Sequence, residues 1–307
     1  MRFFFLVAGS LLLLCVHLPA AAAAGWTLTY APAQIVNGSP VVIRVTIPRF
    51  VRSLTGVWLG HEFRFDFDER AKVWTALAGA GLETKAGSYA IELDAETPDG
   101  QAISWEKEIP VRWRRYPRVT LKVPERYTAP SAEEQREIEQ DKKIKDEAFK
   151  TVSAGREWRG NFATPVAAKI SEVFGVQRIF NGTVGATHQG LDFRVPTGTA
   201  VAAVNRGRVI LARALFFEGN CVVIDHGQGL MTLYLHLSKF LVAEGDEVRK
   251  GQRIGLSGGT GRATGPHLHL AVRWQGEYLN PQVLLGLRLP DAGDSAKTSS
   301  RKKQTHN

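Results

Sequence analysis

Residues 221–237 read Cys-Val-Val-Ile-Asp-His-Gly-Gln-Gly-Leu-Met-Thr-Leu-Tyr-Leu-His-Leu. Two apolar runs flank a glycine-rich turn, Asp225 to Gly229. Runs of this length closed by turn residues read as strands, and a turn this short joins them as an antiparallel hairpin. Outward from it the pattern repeats. Residues 199–211 predict a hairpin around Asn205-Arg206-Gly207, and 248–256 and 267–274 read as further strands. Glycines cluster between the runs, as turns require. Helical periodicity and phosphate-loop motifs are absent from the stretch, which excludes a doubly wound nucleotide-binding unit. Residues 158–287 are therefore expected to form an antiparallel β domain.

Upstream, residues 26–118 alternate with period two. Val41, Ile43 and Val45, then Phe63, Phe65 and Phe67, then Tyr89, Ile91 and Leu93 each fall on one face. Turn signals such as Asn37-Gly38 and Pro98-Asp99-Gly100 separate the runs, so residues 25–118 are expected to be an Ig-like β-sandwich. Residues 119–157 read as a linker. Within it Ser131 and Glu134 form a capping-box signature, with acids early and lysines late, as the helix dipole favours. Apolar residues are sparse there, which predicts a solvated spacer helix of about 30 Å. The fold class is thus mainly β: sandwich, spacer helix, then a second β domain.

The ends and the composition bound the setting. Arg2, an apolar run and Ala22-Ala23-Ala24 fit a signal peptide over 1–24. Residues 288–307 are polar and basic and read as a disordered tail. The 307 residues carry a net charge of +9, which favours anionic surroundings without selecting nucleic acid. Of two cysteines, Cys15 lies in the leader and Cys221 in an apolar run, which excludes a disulfide scaffold and reads Cys221 as a packed residue.

Five of eight histidines lie between 188 and 269. His188 precedes Asp192 by four residues, and His267 precedes His269 by two. In extended chain both spacings put the pair on one face. Imidazole nitrogen and carboxylate oxygen are zinc donors, and a site with three protein ligands keeps a position open for water. His236, in Tyr234-Leu235-His236-Leu237, adds a further imidazole. His226 sits in the Asp225-to-Gly229 turn and reads as structural. His61-Glu62 begins like a zinc-protease helix motif, but position 65 is Phe.

Taken as an ordered set, the second domain resembles the lysostaphin/LytM-type zinc metallopeptidases that cleave peptide bonds in peptidoglycan. The matching residues are Phe174-Gly175, Arg178, Asn181-Gly182, His188-Gln-Gly-Leu-Asp192, Pro196-Thr-Gly-Thr, Gly219-Asn220, Tyr234-Leu-His236-Leu and Thr260-Gly-Arg-Ala-Thr-Gly-Pro-His267-Leu-His269. The resemblance covers about 130 residues and implies the lysostaphin-type peptidase fold over 158–287. It implies His188, Asp192 and His269 as ligands of one zinc ion, and His267 and His236 as the catalytic pair. One of these would take the proton of zinc-activated water, with His267 favoured, and the other, protonated, would steady the oxyanion. Arg178 and Asn181 flank the implied groove as substrate-binding residues. The family often has a tyrosine shortly before the first ligand; here residues 180–184 are Phe, Asn, Gly, Thr and Val.

The implied activity is hydrolysis of peptidoglycan cross-links by an exported monomer of the periplasm or cell envelope. The alternative is a catalytically silent member that activates another wall hydrolase. The spacer and sandwich are a candidate cover for the groove, to be displaced by a regulatory protein partner.

Overall fold

The computed structural model describes residues 25–289. The leader 1–24 and most of the tail lie outside them. Among the described residues the fold is mainly β, with helices confined to Ala132–Lys150, Pro281–Gly286 and a short 3-10 turn at Glu125–Tyr127. None is long and apolar enough to cross a membrane.

The first region is two facing sheets. One runs in the order Thr27–Ala31, Pro40–Thr46, Val73–Gly79, Asp66–Asp68. The other runs Ile35–Val36, Ala102–Arg112, Gly87–Glu96, Ser53–Trp58, His61–Arg64. Alternation is sharpest in Gly87–Glu96, where Ile91, Leu93 and Ala95 are buried and their neighbours exposed. Pro40–Thr46 differs: Val41, Val42 and Ile43 are all fully buried. Its second face is covered because residues 279–288 return to this sheet. Leu279 fills the space beside Gly79, Asn280 N donates to Gly38 O, and Arg44 donates to Arg288 O. One apolar cluster consequently runs from Trp26 through Trp158 to Leu289.

The second region is built on a long antiparallel sheet in the order Ile170–Glu172, Gly190–Phe193, Leu268–Trp274, Leu230–Leu237, Gly219–Asp225, Gly207–Leu215, Glu247–Val248. The 221–237 hairpin forms across this sheet, with Val223 opposite Leu233. The 199–211 hairpin does not. Ala200–Ala202 pairs with Arg253–Leu256, while Gly207–Leu215 pairs with Gly219–Asp225. At the parting the Asn205 side chain binds Arg159 N and O across the fold and also accepts from Arg206 N.

The connecting segment is more ordered than a linker. Arg118–Leu121 pairs in parallel with Gln177–Phe180, so the connection contributes a strand to the second region. The helix has the capping box that Ser131 and Glu134 encode. It is not wholly solvated. Ile144, Ala148 and Phe149 pack on the cluster containing Leu211 and Met231. Asp141 is buried and accepts from Phe216 N at 2.6 Å, and Lys145 pairs with Glu218. A narrow apolar stripe and two polar anchors thus replace the broad face expected of a docked helix.

Candidate metal and catalytic site

Sheet pairing assembles the site. Asp192 lies directly opposite His269, and His269 opposite Leu235. His188 sits in the two-residue connection before Gly190–Phe193, held by His188 N to Val176 O at 2.7 Å. Gly190 is required here, because a Cβ at that position would collide with the His269 ring.

The donor atoms of His188, Asp192 and His269 converge. His188 Nε2 is 3.0 Å from Asp192 Oδ1 and 3.0 Å from His269 Nδ1, and His269 Nδ1 is 2.8 Å from Asp192 Oδ1. All three residues are buried, and together they form a His/Asp/His group able to hold a metal ion. His188 Nδ1 donates to Val173 O at 2.8 Å, which leaves the Nε2 lone pair facing a carboxylate oxygen. Two acceptors held that close repel unless a cation lies between them. Donors about 2.0–2.2 Å from a tetrahedral zinc stand roughly 3.3 Å apart, so the triangle needs only a small expansion to fit.

Further residues fix the ligands. Arg178 binds Glu172 through Nε at 2.7 Å and Asp192 Oδ2 through Nη2 at 2.8 Å. Asp192 therefore has one oxygen tied back and the other aimed at the imidazoles. Burial would raise the Asp192 carboxyl, but the His188 and His269 imidazoles set against it together outweigh burial and hold the group well below the carboxylate range. Burial pushes His269 down to about 4 against the pull of Asp192.

His236 and His267 stand beside this triangle with ring centroids 4.7 Å apart. His236 has φ 62°, at a register shift between Gly219–Asp225 and Leu230–Leu237, and such a bulge re-aims a side chain. Its Nδ1 donates to Thr260 O and that of His267 to Gly265 O, each at 2.8 Å, so both present Nε2 as an acceptor. His267 Nε2 is 3.9 Å from Asp192 Oδ1. Burial, reinforced by His267 and His269, pushes His236 down to about 3.

The two residues read as substrate-binding have partners within the chain. Arg178 is spent on Glu172 and Asp192. Asn181 exchanges hydrogen bonds with Val123, its Nδ2 to Val123 O at 3.0 Å and its Oδ1 from Val123 N at 3.1 Å. These bonds tie the connecting segment to the domain. His226 is buried in its turn, with Nδ1 2.6 Å from Arg206 O and Nε2 2.7 Å from Thr232 Oγ1. Cys221 is buried and burial pushes its thiol well up, which removes it as a nucleophile. Glu172 and Val173 belong to none of the quoted motifs, and Thr260 and Gly265, though inside one, act through backbone carbonyls that spacing does not single out.

Two clefts meet at the cluster. One, of about 410 Å³, includes Asp192, His267 and Arg194 with Val119 and Val123 of the connecting segment. The other includes His188, His236, His269 and Phe217.

Residues 186–281 match the model of peptidase family M23. Over 95 residues the chain is 53% identical to peptidoglycan DD-endopeptidase ShyA of Vibrio cholerae, covering 31% of this chain and 22% of that protein. Over 139 residues it is 39% identical to DD-carboxypeptidase/endopeptidase Mpg of Neisseria meningitidis, covering 45% and 32% respectively. The matched part thus spans about a fifth to a third of the length of these relatives. A crystal structure assigned to peptidase M23 of Pseudomonas aeruginosa superposes over 82% of this chain and 96% of that one, at 29% identity and TM-score 0.64. That superposition extends well beyond the matched residues. The segment 186–281, which contains the His/Asp/His triangle, thus matches peptidase family M23 as a domain.

Proposed function

We propose that the chain is a zinc-dependent endopeptidase that hydrolyses peptide cross-links of peptidoglycan. The convergence of three donor atoms beside two acceptor imidazoles carries this reading. The bond we infer is the D-alanyl–diaminopimelate cross-link, in the cell envelope; relatives named as peptidoglycan DD-endopeptidases support that reading.

His188 Nε2, Asp192 Oδ1 and His269 Nδ1 would hold the ion. Bound there, zinc supplies Lewis acidity toward a peptide carbonyl and a water molecule. His267 accepts the proton lost in the attack. Its Nδ1 is engaged by Gly265 O, its Nε2 is 3.9 Å from the Asp192 carboxylate that favours the gained charge, and it is less buried than His236, so it can pass the proton to the leaving amine. His236 orients the reacting group through a neutral Nε2. Arg178 and Glu172 keep Asp192 aligned.

Digestion of purified sacculi tests the reading. Mass spectrometry is expected to show new amine termini within cross-bridges, abolished by chelation and restored by zinc. Intact cross-links, or glycan fragments alone, would refute it. Unaltered sacculi combined with stimulation of a second hydrolase would establish the silent activator instead.

A further inference from the structure

Arg262 lies between the two clefts that meet at the His/Asp cluster and lines both. Its guanidinium lies against two rings, 4.8 Å from that of Phe180 and 4.5 Å from that of Phe217. Such ring contacts leave the five guanidinium N–H donors unused. Arg178, the neighbouring guanidinium, is paired with Glu172 and Asp192. Arg262 is different. Among the described residues its side chain makes no hydrogen bond or ion pair. The Glu218 carboxylate, whose charge favours the guanidinium, is already paired with Lys145. Burial and the Arg178 charge both disfavour the guanidinium cation, which marks it as short of a counter-charge.

The surroundings hold this group in place. Arg262 N donates to Phe217 O at 2.9 Å, and Tyr127 OH donates to Gly261 O at 2.7 Å. Gly261 has φ 71° and packs on the backbone of Gly219, so closely that no side chain fits. A rigid, stacked fork with unfilled donors is preorganised for a planar anion, and carboxylate is the planar anion of a peptide.

We propose that Arg262 is a specificity-determining residue that binds a free carboxylate of the substrate peptide next to the scissile bond. The chain would thus select carboxylate-bearing peptides over amidated ones. This rests on the endopeptidase reading above and names the substrate chemistry of the same site.

The test uses two matched cross-linked peptide dimers, one with the carboxylate beside the scissile bond free and one with it amidated. Wild-type protein is expected to favour the free acid on the order of 10- to 100-fold in kcat/KM, the value of one charge-assisted bond. Arg262→Gln should lose that factor on the free acid and leave the amidated dimer little changed. Arg262→Lys should fall between, keeping charge without the fork. Zinc content and melting temperature are recorded for every variant. The wild-type preference needs no variant, so it decides the matter even if Arg262→Gln fails to fold. Equal cleavage of both dimers by wild type, or equal slowing of both by Arg262→Gln, overturns the inference while the endopeptidase reading stands. Cleavage of neither dimer by wild type overturns both.

Discussion

Arg178 holds Asp192 from behind, and its loss should be felt first at the metal rather than in the fold. Arg178→Met frees Asp192 Oδ2 and leaves Glu172 without its guanidinium. Loss of such an outer partner typically weakens metal binding about 10- to 100-fold. Competition with a chromogenic chelator is expected to show that drop, and unchanged affinity would mean that the strand alone positions Asp192. His226 makes a different claim. Burial pushes it down to about 4 from 6.5. Between those values the unfolded chain binds the proton that the folded chain refuses, so stability is present above pH 6.5 and is lost as pH falls toward 4. The loss approaches roughly 3 kcal/mol. Denaturation of the zinc-loaded protein across that window should show a shallower slope for His226→Gln, and an identical slope would contradict the assignment. The sequence made His188, Asp192, His267 and His269 visible because each pair sits within four residues. Glu172, the Thr260 carbonyl and the aromatic clamp on Arg262 join segments far apart in the chain, and no local spacing encodes them.

At the level of elements, the helix Ala132–Lys150 is anchored by charge as much as by apolar contact. Asp141→Ala removes the acceptor of a buried Phe216 N–H. An unpaired buried donor costs about 1–3 kcal/mol. Urea denaturation should register that loss for Asp141→Ala and almost none for the exposed Asp146→Ala; equal effects would show that the helix is not docked through Asp141. The existence and N-terminus of this helix were legible, because Ser131 and Glu134 act within one turn. Its docking was not, since Ile144, Ala148 and Phe149 make too thin a stripe to distinguish a seated helix from a free one. The misread 199–211 hairpin has a related cause. Asn205-Arg206-Gly207 does mark a change of direction, but a turn signal says nothing about which strand becomes the partner.

Across the whole molecule, the sandwich and the peptidase region share one apolar core. Leu279 packs beside Gly79, and the residues after it close the second face of Pro40–Thr46. Deleting residues 25–117 uncovers at least that leucine, a burial worth about 1.5–3 kcal/mol. For a remainder of this size the melting temperature should fall by roughly 3–10 °C. An unshifted melt of the zinc-loaded remainder would show that the sandwich is only appended. Alternation along single strands made the two β regions legible, yet the shared core arises where residues 279–288 return to the sheet holding Pro40–Thr46, which periodicity cannot report.

The zinc content and murein-cleaving activity of His188→Ala and His267→Ala, measured side by side, test the central claim most directly. His188→Ala is expected to lose both metal and activity. His267→Ala should keep about one zinc per chain while activity falls roughly 100-fold or more, as for a lost general base. A His188→Ala protein that still holds zinc and still opens cross-links would contradict the account.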